Sequence, residues 1–237
     1  MHSNRYTFVY AIIISVITAV LLAFASEGLK PLQQANIALD KKTNILRSVR
    51  IETQKREEIE QIYKNQVTEL VVDARGEVMS GVDANAVALK EEVAKPAAER
   101  RLPVYLYAAE GGKKYYILPL YGVGLWGPIW GYLSVEEDFD TVYGAYFDHK
   151  GETPGLGAEI SEKPFQQQFE GKKIMAGDQF VSVYVAKTTD KIPYGPEHRV
   201  DGISGGTITS RGTDEMLKDC IAPYLAYFNK LKTSAGN

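Results

Sequence analysis

Residues 201–210, DGISGGTITS, gather hydroxyls and glycines into one short turn. Gly202, Gly205 and Gly206 let the backbone bend sharply and leave its amides open, while Ser204, Thr207, Thr209 and Ser210 offer hydroxyls. In the following RGTDEMLKDCIAPYLAYF, Met216/Leu217, Cys220/Ile221, Tyr224/Leu225 and Phe228 recur at helical spacing, so a helix is expected to begin near Thr207. The open amides and the positive end of its dipole favour a phosphate there. A capped helix start with a tight entry turn would use the same residues.

Gly202, Ser204 and Gly206 also satisfy G-x-S-x-G, the nucleophile elbow of serine hydrolases. Chain order opposes that chemistry, because His2, His149 and His198 all precede Ser204 and the elbow's acid and histidine should follow it. The preceding PYGPEHRVD is also too rich in proline, glycine and charge for a buried strand. A membrane-anchored hydrolase using Ser204 therefore needs a different triad order.

Two further segments carry chemical signals. In YGVGLWGPIWG, Gly122, Gly124 and Gly127 spell G-x-G-x-x-G, but Pro128 and IWGYLSVE read as extended chain where the dinucleotide motif needs a helix. Trp126 and Trp130 read as core aromatics or as walls of a slot for a flat ring. In HKGETPGLGAEI, Thr153, Pro154, Gly155 and Gly157 make a rigid turn with exposed amides, and the neighbouring His149 alone is a weak signal.

The elements that must position these segments follow from periodicity. With 237 residues, 45% hydrophobic, and a net charge of −3, the chain supports one substantial domain and carries no basic excess for nucleic acid. The single cysteine, Cys220, excludes an internal disulfide and falls on the apolar face of the last helix as a packing residue. No metal site is expected. Between Arg5 and Glu27 the chain carries no charge, enough for a helix of about 20 residues to cross a bilayer core. A cleaved signal peptide shares the short basic start and the AFAS stretch, but the long apolar run leading into a helical segment favours a retained anchor.

Residues 1–30 are thus read as a transmembrane anchor and 31–66 as a stalk of one or two helices, with Asp40 capping the second. Lys41, Lys42, Arg47 and Arg50 could rest near lipid headgroups. Residues 67–237 form an α+β domain, an antiparallel sheet with flanking helices. Within it TELVVDARGEVM suggests a hairpin, PVYLYAAEGGKKYYILPLYG a second at Gly111 and Gly112, and WGYLSVEEDFDTVYGAYF two strands turning near Asp138. A short helix is expected within DANAVALKEEVAKPAAE, another over 163–169, a strand over 179–187, and a break near Ala222 imposed by Pro223.

Asp201, Ser204, Gly205, Gly206 and Thr207 resemble the D-x-x-S/T-G-A-T signature at which a flavin transferase esterifies FMN to a threonine, with Gly206 where alanine is common. Together with GVGLWGP, ETPGLGAEI and FEGKK in the same order, the whole chain resembles the C-type subunit of the Na+-translocating NADH:quinone reductase. The sister G-type subunit of the Rnf ferredoxin:NAD oxidoreductase shares ETPGLG and the threonine motif. The resemblance implies an electron-carrying subunit, not active alone and with no catalytic residue of its own. It would relay electrons from NADH towards ubiquinone or menaquinone in a complex that exports sodium. It implies FMN linked through its phosphate to Thr207, with Ser204, Gly205 and Gly206 holding the phosphodiester and Leu125, Trp126, Thr153 and Leu156 bordering the ring. Glu152, Lys172 and His149 are candidates for contact with flavin or phosphate, and Asp201 for recognition by the transferase. The implied partners are the A, B, D, E and F type subunits, the transferase and membrane lipid. The charges flanking the span lean towards an intracellular domain; the resemblance implies the periplasmic face of a bacterial inner membrane.

Overall fold

The computed structural model describes residues 4–187 and 189–235. It divides into two compact units, Met1–Lys42 and Thr43–Asn237. Helix α1 (Asn4–Ser48) is the helix, among the described residues, long and apolar enough to cross a membrane. The apolar side chains of its amino-terminal stretch, among them Phe8, Ile12, Leu22 and Phe24, are exposed, unlike those of a soluble core helix. The second helix of the 31–66 stretch begins at Arg56 and not at Asp40. Asp40 lies inside α1, which continues through Pro31 because good helix formers flank that residue and outweigh the one hydrogen bond it removes.

In the second unit α2 (Arg56–Gln66) runs directly into β1 (Val67–Val72). The hairpin expected there is reduced to a turn with one Val72↔Val78 bridge. A short α3 (Leu89–Val93) follows, and then β2 (Leu102–Ala108), β3 (Lys114–Val123), β4 (Pro128–Val135) and β5 (Val142–His149). With β1 they form an antiparallel five-stranded meander in sequence order. The β4–β5 turn forms where expected, with Asp138 Oδ1 accepting from the Asp140 and Thr141 amides at 3.0 and 2.8 Å.

Helix α4 (Lys163–Gln167) precedes two small sheets. Strand β6 (Met175–Ala176) pairs antiparallel with β7 (Gln179–Phe180), and β8 (Tyr184–Ala186) pairs parallel with β9 (Arg199–Asp201). The single strand expected over 179–187 is split. Ser182 sits at φ 66°, and its amide and that of Val181 both donate to the Ile174 carbonyl, turning the chain from one partner to the other. A strand of three residues also lies within PYGPEHRVD, where none was expected. Helix α5 (Thr207–Ile221) starts as periodicity required; Pro223 ends it in a 3-10 turn before α6 (Leu225–Ala235).

Both faces of the meander are covered. Val104, Leu118, Leu120, Ile129, Leu133 and Phe147 point towards Met216, Leu217, Ile221, Tyr224 and Phe228 of the carboxy-terminal helices. Burying such a side chain contributes about 1.5–3 kcal/mol, so this face fixes α5 on the sheet. The opposite face buries Tyr105, Ile117 and Tyr132 together with Ile45, Leu46, Val49 and Ile59. There Ser134 Oγ donates to the Ser48 carbonyl at 2.6 Å, and the Tyr63 hydroxyl to Glu69 at 2.8 Å.

Cys220 is 4% exposed and packs against β3, its thiol 3.4 Å from the Tyr121 carbonyl. Burial pushes the thiol up to about 11. At pH 8 the folded protein should therefore resist a disulfide thiol reagent and release one equivalent only on denaturation. Rapid labelling of the native protein would place Cys220 outside the core.

Candidate functional site

The site is built at one end of the meander. Antiparallel pairing sets Ile129 opposite His149, so the β3–β4 loop and the chain leaving β5 emerge side by side. The first loop holds GLWG, closed by Gly124 N–H donating to the Gly127 carbonyl at 2.8 Å. The second holds ETPGLG, in which the Leu156 and Ala158 amides both donate to the Thr153 carbonyl at 3.1 Å. Helix α5 meets both: Gly212 crosses Val123 where β3 leads into the first loop, and Thr209 in its first turn donates to Glu152 of the second at 2.6 Å.

These three segments enclose a cavity of about 200 Å³ lined by Leu125, Glu152, Thr153, Leu156, Gly157, Gly205, Gly206, Thr207, Ile208 and Thr209. Seven of the site residues expected from the sequence meet there, although they span 83 positions of chain (125 to 207). Among the described residues outside α1, the exposed large apolar side chains are Val78, Val123, Leu125, Trp126, Leu156 and Ile208. Leu125, Leu156 and Ile208 of that set line the cavity, Trp126 follows Leu125 in its loop, and Val123 ends β3 just before that loop. Clustered exposed apolar surface of this kind marks a ligand or partner site.

Thr207 is the first residue of α5 and is exposed; Gly206 precedes it, and no side chain caps the helix. Its first-turn amides therefore face outward beside the Thr207 hydroxyl, a setting that suits an anionic ester. Gly205 makes the entry turn at φ 76°, and a Cβ there would lie 2.6 Å from Leu156 Cδ2. The turn thus needs glycine both for its backbone and for the apolar wall beside it.

Other expected residues fall elsewhere. Ser204 is exposed in the turn, outside the cavity lining. Trp126 is 67% exposed, so its ring is not core, and its amide rather than its ring holds it to the site. Lys172 Nζ donates to the Pro196 carbonyl at 2.8 Å and does not line the cavity. Asp201 ends β9 with an exposed carboxylate 3.7 Å from Arg199 Nε, and its amide donates to Gln168 at 2.8 Å. Thr209 and Ser210, read as hydroxyls open to a ligand, are buried and engaged: Thr209 donates to Glu152 at 2.6 Å, and Ser210 Oγ accepts from the Ile203 amide at 2.9 Å. Helical geometry turns both inward, which the sequence of hydroxyls alone did not reveal. Ile208 was missed; an apolar residue between two threonines at a helix start was the available signal.

A hydrolytic triad is absent among the described residues. Among the described residues neither histidine is hydrogen-bonded to Ser204: His149 Nδ1 accepts from the Glu152 amide at 3.1 Å, and His198 is buried with Nδ1 2.7 Å from the Lys173 carbonyl and Nε2 facing Glu197. Although β9, the turn and α5 do form a strand–turn–helix, no base among the described residues pairs with the serine.

The FMN-binding domain family model matches residues 124–222, from the GLWG loop to the end of α5. The C-type subunit of the Na(+)-translocating NADH-quinone reductase of Pasteurella multocida is 33% identical over 98% of this chain and 95% of its own length. The crystal structure of the same type of subunit from Parabacteroides distasonis is 41% identical, with a TM-score of 0.76 over 84% of this chain and 96% of that one. Shewanella oneidensis NqrC superposes with a TM-score of 0.67 at 26% identity, covering 82% and 97%. Near full-length likeness in sequence, with likeness in fold over more than four fifths of the chain, means that the chain belongs to the NqrC family, the C-type subunits of the Na(+)-translocating NADH-quinone reductase.

Proposed function

We propose that this chain is the electron-relay subunit of a membrane NADH:quinone reductase complex and that it carries FMN as a phosphoester on Thr207. The observation that carries the reading is the meeting, around one cavity, of an exposed threonine at an uncapped helix start with apolar walls from two distant loops. These residues fit the group. The first-turn amides of α5 favour the phosphate, and Leu125, Leu156 and Ile208 offer apolar surface to a flat ring.

When bound, the flavin supplies reversible electron acceptance and donation. The protein's part is to hold it, exclude water from its apolar edge and set the polarity around it. Attachment through the phosphate leaves the ring chemically unchanged, so its potential is tuned by surrounding residues, and it prevents loss from a domain on the periplasmic face. In this reading residues 1–30 anchor the chain in the inner membrane, 31–66 form the stalk, whose part from Thr43 onward packs on the sheet, and 67–237 carry the flavin. Electrons pass from NADH through sibling subunits towards quinone, and sodium export belongs to the complex, because the single span holds no buried acid.

Co-expression with a flavin transferase, followed by in-gel fluorescence after SDS denaturation, tests the reading. A yellow, fluorescent band is expected. No fluorescence, with a control substrate modified in the same cells, overturns it. Asp201→Ala should lower the flavin occupancy while leaving the far-UV spectrum unchanged, since the exposed carboxylate is available to the transferase and its backbone contact to Gln168 survives the change. Full occupancy in the variant would remove Asp201 from recognition.

A further inference from the structure

We infer that Glu152 is a positioning residue for the flavin, joining the loop that walls the ring to the helix that bears the attachment point; this rests on the assignment of FMN to Thr207. The residue is 5% exposed, and each carboxylate oxygen serves a different element. Oε1 accepts from the Trp126 amide at 2.8 Å, fixing the GLWG loop, and Oε2 accepts from the Thr209 hydroxyl at 2.6 Å, two residues beyond Thr207 on α5. Its own amide, bonded to His149 Nδ1, ties the same residue to the end of β5. One side chain therefore sets the spacing of all three walls of the cavity.

The surrounding chain is shaped to admit this group. A Cβ on Gly124 would lie 2.5 Å from Glu152 Oε1, and one on Gly157 would collide with Oε2 and lie 2.5 Å from Thr209 Oγ1. Among the described residues Glu152 has no ion-pair partner, and an unpaired buried carboxylate is a costly way to join two segments. Its hydrogen bonds and the positive end of α5 offset that cost. The same contacts make it a lever: a shift at Trp126 or Thr209 moves Leu125 relative to Thr207, and so moves the ring's wall relative to its tether. The side chain acts through these two neighbours.

The test uses full-length protein flavinylated by co-expression, as wild type, Glu152→Ala, Glu152→Gln and Thr209→Val. Three quantities are read: amide exchange at Trp126, visible circular dichroism of the flavin, and its reduction potential. In Glu152→Ala the Trp126 amide should exchange about 10- to 100-fold faster, the ratio set by losing one hydrogen bond to a charged acceptor, and the dichroism and potential should both move. Glu152→Gln should restore all three towards wild type, because its oxygen still accepts from Trp126 and its amide nitrogen can donate to Thr209 Oγ1. Thr209→Val, which removes one link and keeps the volume, should move the potential in the same direction as Glu152→Ala, and it carries the test if that variant does not fold. Unchanged potential and dichroism in Thr209→Val and in folded Glu152→Ala at full occupancy overturn the inference. Glu152→Gln behaving like Glu152→Ala also overturns it, since charge and not the joint would then be what matters. Wild type without covalent flavin sinks the Thr207 assignment and this role with it, and Trp126 exchange then reports a joint serving the fold alone.

Discussion

Thr207→Ala is expected to yield a folded protein whose covalent flavin falls to background. The hydroxyl is the sole reacting group that the proposed attachment requires from this chain, and alanine at an exposed helix start keeps or improves helix propensity, so the stability change should stay within about 0.5 kcal/mol. Nor can neighbouring hydroxyls substitute freely. Thr209 donates to Glu152 and Ser210 holds the Ile203 amide, both buried, which leaves Ser204 as the exposed hydroxyl of the turn. In-gel fluorescence after SDS denaturation and intact mass read the outcome directly. Fluorescence surviving in Thr207→Ala would move the attachment to Ser204, and its loss with an unaltered melting curve would separate the chemistry from the fold.

Gly212→Ala is expected to destabilise the domain and to lower flavin occupancy as a consequence. The position lies where α5 crosses the end of β3, and an added Cβ would collide with the Val123 carbonyl oxygen. Helix propensity favours alanine by about 1 kcal/mol. Forcing an extra carbon into a packed interface costs about 1–3 kcal/mol, and here the obstacle is main chain, which yields less than a flexible side chain, so the upper figure applies. The net of about 2 kcal/mol corresponds to roughly 4–8 °C in Tm for a domain of this size. Because Val123 leads into the GLWG loop, the same displacement opens the cavity between Leu125 and Ile208. Gly151→Ala, whose new methyl meets nothing within 4 Å, is the control. A Tm equal to that of the control would show that α5 and β3 can separate freely at this point.

Local signals were strong where one residue's surroundings lie along the chain. The start of α5 at Thr207, the β2–β3 turn at Gly111 and Gly112, and the break at Pro223 are each imposed by glycine, proline or a helical repeat within a few residues. Expectations failed where the deciding partner is remote or the competing preferences are close. Helix α1 overrides both Pro31 and the cap expected at Asp40, and residues 179–187 divide between two sheets at Ser182.

The sequence by itself determined the apolar span and the α+β class, because each depends on residue type and short-range spacing, and its resemblance to known subunits pointed to the family and to a threonine as the flavin's attachment. Only the tertiary structure decided which of the motif's hydroxyls face outward, that Lys172 and the ring of Trp126 lie outside the cavity lining, and that Glu152 holds the two loops and the helix together. From the sequence Glu152 stands only as a candidate for contact with the flavin or its phosphate, with nothing to mark it as buried. Its role appears only once antiparallel pairing of β4 and β5 and the packing of α5 bring three distant segments within hydrogen-bonding distance of it.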